Sequence, residues 1–358
     1  MNFAIMFDTH IDKWDLVRYA EELGYYSAYF PDSEMIWSDC YATMALAAVN
    51  TKRIRLGTGI AAPGVRIAPV TAHSIATINQ IAPGRTFLGI GTGNTSMRVM
   101  GQNPTPLAEL REYIRVVRGL LDGEEVDYTY RGKTRSIKFL HLDRHFINLK
   151  DRIPIHMAAY GPKALGLVGE KADGWITTGT EPEEVLGNFE RIRNGAAGVG
   201  RPLPTDFPRA FVIAPAVLRP GEKLTDERII DEIGSQVMCN MHAIYEDWEL
   251  LGRKPEHIPP CFEDSWEEYG KRVASYPVAT RYRHLHLGHC TFLQPEERRF
   301  VTEKAIRKFC YVGEPDELIE RIRGMERAGM TELIVLVAAD TQRKVYRDLA
   351  EYVMPAFR

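Results

Sequence analysis

Eight short apolar runs recur along this 358-residue chain, most of them followed by a segment with apolar residues at helical spacing. The runs are Phe3–Phe7, Ala28–Phe30, Ile54–Gly57, Thr86–Ile90, Ile153–Ala158, Gly174–Thr177, Arg209–Leu218 and Glu332–Val337. Helical spacing is read over Lys13–Leu23, Tyr41–Val49, Val70–Ile81, Leu107–Leu121, Pro162–Lys171, Glu183–Gly195, Glu314–Ala328 and Gln342–Met354. Such alternation implies parallel strands joined by right-handed crossovers. The runs are apolar without an in-out alternation, as expected of strands covered on both faces. Eight βα units in one chain of this length favour a closed (β/α)8 TIM barrel over an open doubly wound sheet.

The rhythm breaks twice. Residues 126–149 hold two β-like runs around Arg131-Gly132-Lys133, read as a hairpin insertion. Residues 219–310 form a second insertion, helical and aromatic-rich over Thr225–Tyr276. The expectation is one α/β domain, 1–358, carrying both.

In a parallel barrel, functional side chains sit at the C-terminal ends of the strands. Those ends offer Asp8 and His10, then Asp32-Ser33-Glu34, Thr58-Gly59-Ile60, Thr92-Gly93-Asn94, Tyr160-Gly161 and Thr177-Thr178-Gly179. The stretch FLGIGTGNTS, Phe87–Ser96, superficially resembles a dinucleotide fingerprint. It lacks the third glycine of G-x-G-x-x-G and follows the fourth strand, so a Rossmann reading is weak. Its alternating glycines point either to a flat ligand against bare main chain or to small residues fitted into a tapered barrel. At Tyr160-Gly161-Pro162 a strand ends and a helix opens on proline, leaving free N–H groups suited to a phosphate.

Composition excludes several function classes. A net charge of −3 supplies no general field for nucleic acid or an anionic membrane. No apolar run reaches the roughly 18 residues that span a bilayer, and MNFAIMFDTH has no basic leader ahead of its apolar stretch. The five cysteines are scattered without a C-x-x-C pair, which argues against a disulfide framework or a thiolate metal site and for a reduced, cytoplasmic setting. For His284, His286 and His289 in RHLHLGHCTF, the alternating spacing favours packing or a pocket wall, and no metal is expected. His73 is read as a packing residue inside its helix. The aromatics Tyr245, Trp248, Trp266, Tyr269, Tyr276 and Tyr282, at helical spacing, read first as core or dimer packing.

The segment LGTGIAAPGVRIAPVTAHSIATINQIAPGRTFLGIGTGN, Leu56–Asn94, resembles the third and fourth units of bacterial luciferase-like flavin-dependent oxidoreductases. Within them it is most similar to the methylenetetrahydromethanopterin reductase branch, whose cofactor is a deazaflavin. Ala158–Trp175 resembles that family's cofactor-phosphate segment and Tyr311–Gly329 its last unit; the resemblance spans most of the chain outside Arg219–Cys310. It implies a barrel holding FMN or coenzyme F420, with a non-proline cis peptide at Gly59-Ile60. It places Gly59, Ile60 and Ala61 behind the ring, Thr92, Gly93 and Asn94 at its pyrimidine side, and Ala159, Tyr160, Gly161, Pro162 and Thr178 toward the phosphate.

Two departures qualify that picture. Asp32-Ser33-Glu34 stands where many relatives carry a histidine, and Asn94 stands where many deazaflavin relatives carry an acid. Asp32, Asp8 and Asn94 are therefore the catalytic candidates, while His10, Trp37, His286 and His289 are candidate pocket residues. A strand-end aspartate such as Asp32 can also simply cap the next helix.

The leading expectation is a two-component monooxygenase acting on a small organic substrate with oxygen and with reduced FMN supplied by a separate NAD(P)H:flavin reductase. The alternatives are a coenzyme F420-dependent hydride-transfer enzyme and a non-catalytic flavin-binding barrel. By resemblance, a homo-oligomer, dimer or larger, is expected.

Overall fold

The computed structural model describes residues 1–179 and 181–358. They divide into two compact units, the first comprising 1–98, 102–211 and 325–334, the second 99–101, 212–324 and 335–358. The expected hairpin insertion lies inside the first, and residues 219–310 lie wholly inside the second. Among the described residues no helix is long and apolar enough to cross a membrane.

The strands are β1 (Asn2–Met6), β2 (Ser27–Phe30), β3 (Arg55–Thr58), β4 (Thr86–Ile90), β5 (Val126–Tyr130), β6 (Lys133–Ile137), β7 (Ile155–Ala158), β8 (Gly174–Thr178), β9 (Arg209–Ile213), β10 (Pro215–Val217), β11 (Tyr311–Gly313) and β12 (Glu332–Val335). Eight of them close a barrel in the order β1-β2-β3-β4-β7-β8-β9-β12, the eight read from the apolar runs. Neighbours from β1 to β8 pair in parallel. Pairs such as Phe30 with Thr58, Ile90 with Met157 and Ala158 with Ile176 bring their C-terminal ends to one rim.

One expected strand is two. Arg209–Leu218 breaks after Ile213, and β10 leaves the barrel to pair in parallel with β11. Pro215 has no N–H to continue a ladder and is tolerated as the first residue of a short edge strand. The hairpin β5–β6 forms as expected, and Arg131 and Gly132 both take positive φ, the turn that matches strand twist in two-residue loops.

Large side chains fill the barrel. The Tyr29 and Phe87 rings meet edge to face at 4.8 Å, and Phe87 stacks on His156 at 5.1 Å. A Cβ at Gly57, between them, would lie 2.4 Å from the Phe87 ring, so glycine is what lets the rings meet. Tyr29 and Ser27 both donate to the buried Glu332 carboxylate, Tyr29 at 3.1 Å. Burial raises the Glu332 carboxyl above its ordinary value despite these donors.

His156 makes the barrel acid-sensitive. Burial, reinforced by the Arg55 charge, pushes its imidazole down to about 3. The unfolded chain then takes up a proton first as pH falls below the ordinary imidazole value of about 6.5. Stability declines from there toward pH 3, by up to about 1.4 kcal/mol per pH unit from this group. In His156→Leu this contribution should vanish, so urea midpoints measured from pH 7 downward fall less steeply; parallel curves would clear His156.

Candidate active site

The rim of the first unit carries the polar groups. Asp32 follows β2 and is 2% exposed. Both its oxygens are occupied by Arg66, Nε to Oδ2 at 2.9 Å and Nη2 to Oδ1 at 3.2 Å. Arg66 lies between β3 and α3 (Ala68–Ile81), in the third crossover. The same guanidinium reaches Asp39 Oδ2 at 2.6 Å and lies over the Tyr41 ring at 5.1 Å. Its carbonyl accepts from the Tyr113 hydroxyl at 2.9 Å. One arginine thus ties the β2 and β3 loops together.

The helix-capping role falls to Asp39, not Asp32. Asp39 Oδ1 accepts from the Ala42 N–H at 2.8 Å, opening α2 (Cys40–Asn50). Burial would raise the Asp39 carboxyl, but the Ala42 N–H and Arg66 outweigh it and hold it below its ordinary value. Burial likewise opposes the Arg66 charge, and Asp32 and Asp39 overcome that, raising its affinity for its proton. The Cys40 thiol is pushed well up by burial and the Asp32 charge, which leaves it a poor nucleophile.

Glu34 behaves differently. It is exposed on the same turn, and burial of part of its carboxyl together with the charge of Asp32 raises it above the ordinary glutamate value. Arg66 did not stand out in the sequence, and Glu34 was named within Asp32-Ser33-Glu34 but not among the catalytic candidates; only folding sets the arginine against Asp32.

The other expected residues are placed as follows. Asp8 is buried at the end of β1. His10 is exposed, and its Nδ1 accepts from Asp12 N at 3.3 Å, capping the 3-10 turn Ile11–Lys13. Trp37 is half-buried, with its N–H on Ser33 O at 3.1 Å. His286 and His289 belong to the second unit and pack inside it, the former 3.3 Å from Glu246 Oε1. His73, expected to pack, is exposed on α3, near the Phe139 ring.

The Gly59-Ile60 bond is cis, at the position the family resemblance implies. Ala61 bridges to Ile90, so the bulge after β3 lies against the end of β4. This answers what the glycines of FLGIGTGNTS are for. A Cβ at Gly89 would fall 2.1 Å from Thr58 O, and one at Gly91 2.2 Å from Ile60 Cδ1. Gly89 is bare to clear the end of β3 and Gly91 to clear the bulge after it, so both serve packing within the barrel. Gly93, at φ 77°, turns the chain into α4 (Asn94–Arg98), where exposed Asn94 accepts from Arg98 Nε at 2.6 Å.

Gly161 is the opposite case. A Cβ there would meet nothing, and α6 (Pro162–Lys171) opens on it with no side chain capping its N–H groups. Ala159 beneath is held by Trp175 Nε1 at 2.9 Å, while Tyr160 and Thr178 are exposed. Bare main chain, an uncapped helix start and nearby hydroxyls suit a phosphate-bearing cofactor.

With this geometry in view, the sequence profile of the luciferase-like monooxygenase family matches residues 12–332. The chain belongs to that family. Among luciferase-like proteins, the 5,10-methylenetetrahydromethanopterin reductase of Methanolobus tindarius is 36% identical over 206 residues, 56% of this chain and 61% of that protein. An F420-dependent glucose-6-phosphate dehydrogenase of Beutenbergia cavernae is 26% identical over 362 residues, 96% of this chain and 93% of that one. The solved coenzyme F420-dependent tetrahydromethanopterin reductase of Methanopyrus kandleri superposes with a TM-score of 0.70 at 21% identity, covering 100% of this chain and 99% of the other. That likeness establishes the fold. This luciferase-like protein is accordingly an oxidoreductase on a closed parallel barrel.

Proposed function

We propose that this luciferase-like protein is a coenzyme F420-dependent oxidoreductase transferring hydride to or from a small organic substrate. The names of two relatives carry the choice: one matching 96% of the chain is named for F420 dependence, and a reductase of the methylenetetrahydromethanopterin type has the higher identity over a shorter span. That weighting reverses the preference for FMN and oxygen drawn from the missing acid at Asn94.

The residues present fit such a cofactor. Gly59, Ile60 and Ala61 offer a backbone ledge, with Thr92, Gly93 and Asn94 bordering it. Gly161, with the open start of α6, would take the phosphate, flanked by Ala159, Tyr160, Pro162 and Thr178. When bound, the deazaflavin supplies two-electron hydride chemistry. Asp32, held by Arg66 on both oxygens, positions the β2 turn and is poorly placed to exchange a proton. Glu34, with its raised carboxyl, is the group on that turn suited to holding a proton for the substrate oxygen.

Titrating purified protein with F420 and with FMN tests the reading directly. Saturable F420 binding with weaker FMN binding is expected; FMN alone binding would overturn it. Glu34→Gln should lower turnover by about 100-fold and move the F420 dissociation constant by less than about twofold. The pH-rate limb above the ordinary glutamate range should go with it. If turnover is unchanged, Glu34 is not the proton carrier.

A further inference from the structure

The second unit encloses a polar cluster that the barrel chemistry does not use. Its long helix α8 (Glu227–Leu250) presents Gln236, Cys239 and Glu246 on the side that meets the chain after α10 (Arg281–Leu285). Gly288 at φ 80° and Cys290 at φ 53° fold that chain back, so that the consecutive His289 and Cys290 both reach Cys239. Cys239 Sγ lies 3.2 Å from His289 Nδ1 and 3.3 Å from Cys290 Sγ. The three donor atoms fall within 4.8 Å of one another.

Around them is a surplus of buried polar atoms. His286, 7% exposed, makes no hydrogen bond through either ring nitrogen, although Nε2 approaches Glu246 Oε1 to 3.3 Å. Gln236, also 7% exposed, leaves its Nε2 without an acceptor while its Oε1 lies 3.5 Å from Cys290 Sγ. The surroundings are apolar: Val237, Met238, Met241 and Leu285 belong to the unit's core. Unsatisfied polar atoms are rare in such a core and call for a partner.

We propose that Cys239, His289 and Cys290 form a Zn2+ site, with Gln236 Oε1 in reach of the fourth corner. Two sulfurs and one imidazole nitrogen are a borderline-soft donor set of the kind zinc takes in tetrahedral geometry. Zinc–sulfur bonds of about 2.3 Å and zinc–nitrogen bonds of about 2.0 Å place tetrahedral donors roughly 3.8 Å apart for two sulfurs and roughly 3.5 Å for sulfur and nitrogen. The two spacings from Cys239 open to these values with shifts of a few tenths of an ångström, and the His289–Cys290 pair lies within the same 4.8 Å. All five cysteines are free thiols, so both sulfurs are open to a metal. The ion would pin α8 to the 286–290 turn, a structural and not a catalytic role. The sequence argued against it because the cysteines are scattered without a C-x-x-C pair and the histidines alternate; the two sulfurs here lie 51 residues apart.

The test uses the full chain, reduced, stripped with a chelator and titrated with Co2+. The site predicts a single Co2+ per chain, showing thiolate-to-cobalt charge transfer and tetrahedral d–d absorption, displaced by Zn2+. Cys239→Ser and Cys290→Ser should each abolish the charge-transfer band, and Cys261→Ser should leave it intact. Equal Co2+ uptake by wild type and a Cys239→Ser/Cys290→Ser chain would overturn the proposal. Independently of the variants, Zn2+ should protect Cys239 and Cys290 of the wild type from alkylation; unchanged alkylation by peptide mass analysis would also overturn it.

Discussion

Arg66→Met is expected to lower folding stability by about 3–5 kcal/mol, because it strands the Asp32 carboxylate without its cation. Asp32 is 2% exposed, and the arginine itself is only 21% exposed, so water cannot replace the lost partner cheaply. The double variant Asp32→Asn/Arg66→Met should recover much of the loss, since a neutral amide no longer requires a counter-charge. Thermal midpoints of the wild type, both single variants and the double variant form a mutant cycle that isolates the pair. Additive effects would show that the two side chains are not coupled. A full recovery of stability with weakened F420 binding would further separate the pair's structural work from its effect on the rim.

Gly89→Ala is expected to cost about 3 kcal/mol or more, at the upper end for overpacking a close-fitted core. The obstacle is the Thr58 carbonyl, 2.1 Å from the new Cβ, and a backbone atom inside a closed barrel cannot swing aside. Gly91→Ala meets the tip of the Ile60 side chain, which can change rotamer, and should cost less. Gly161→Ala meets nothing and should leave stability near that of the wild type while weakening binding of a phosphate-bearing cofactor. Denaturant midpoints and F420 titrations on the three variants distinguish packing glycines from a cofactor glycine. Should Gly89→Ala prove as stable as the wild type, the close approach of the end of β3 is not what requires glycine there.

Much of the barrel was readable from local pattern. A strand covered on both faces must be apolar throughout, and a crossover helix must show an apolar stripe, so the eight units were visible without any partner. Thr86–Ile90, Leu107–Leu121 and Pro162–Lys171 have the bounds the pattern predicted. The strand through Arg209–Leu218 misled because apolar content continues past Pro215 while pairing within the barrel does not; Pro215–Val217 pairs with β11 instead. His10 illustrates the same limit at a rim: an imidazole past a strand end is as useful for capping a turn as for lining a pocket, and the spacing is identical.

The periodicity of apolar residues, and the glycine and proline that interrupt it, determined the barrel, its hairpin and the rim on which chemistry must sit, because those features depend on neighbours along the chain. Tertiary structure alone decided that Arg66 clamps Asp32, that Gly89 and Gly91 are bare for the sake of Thr58 and Ile60, and that Cys239 meets His289 and Cys290. Each of these is a contact between distant segments, set by how close two backbones come and by which charges or lone pairs they bury together.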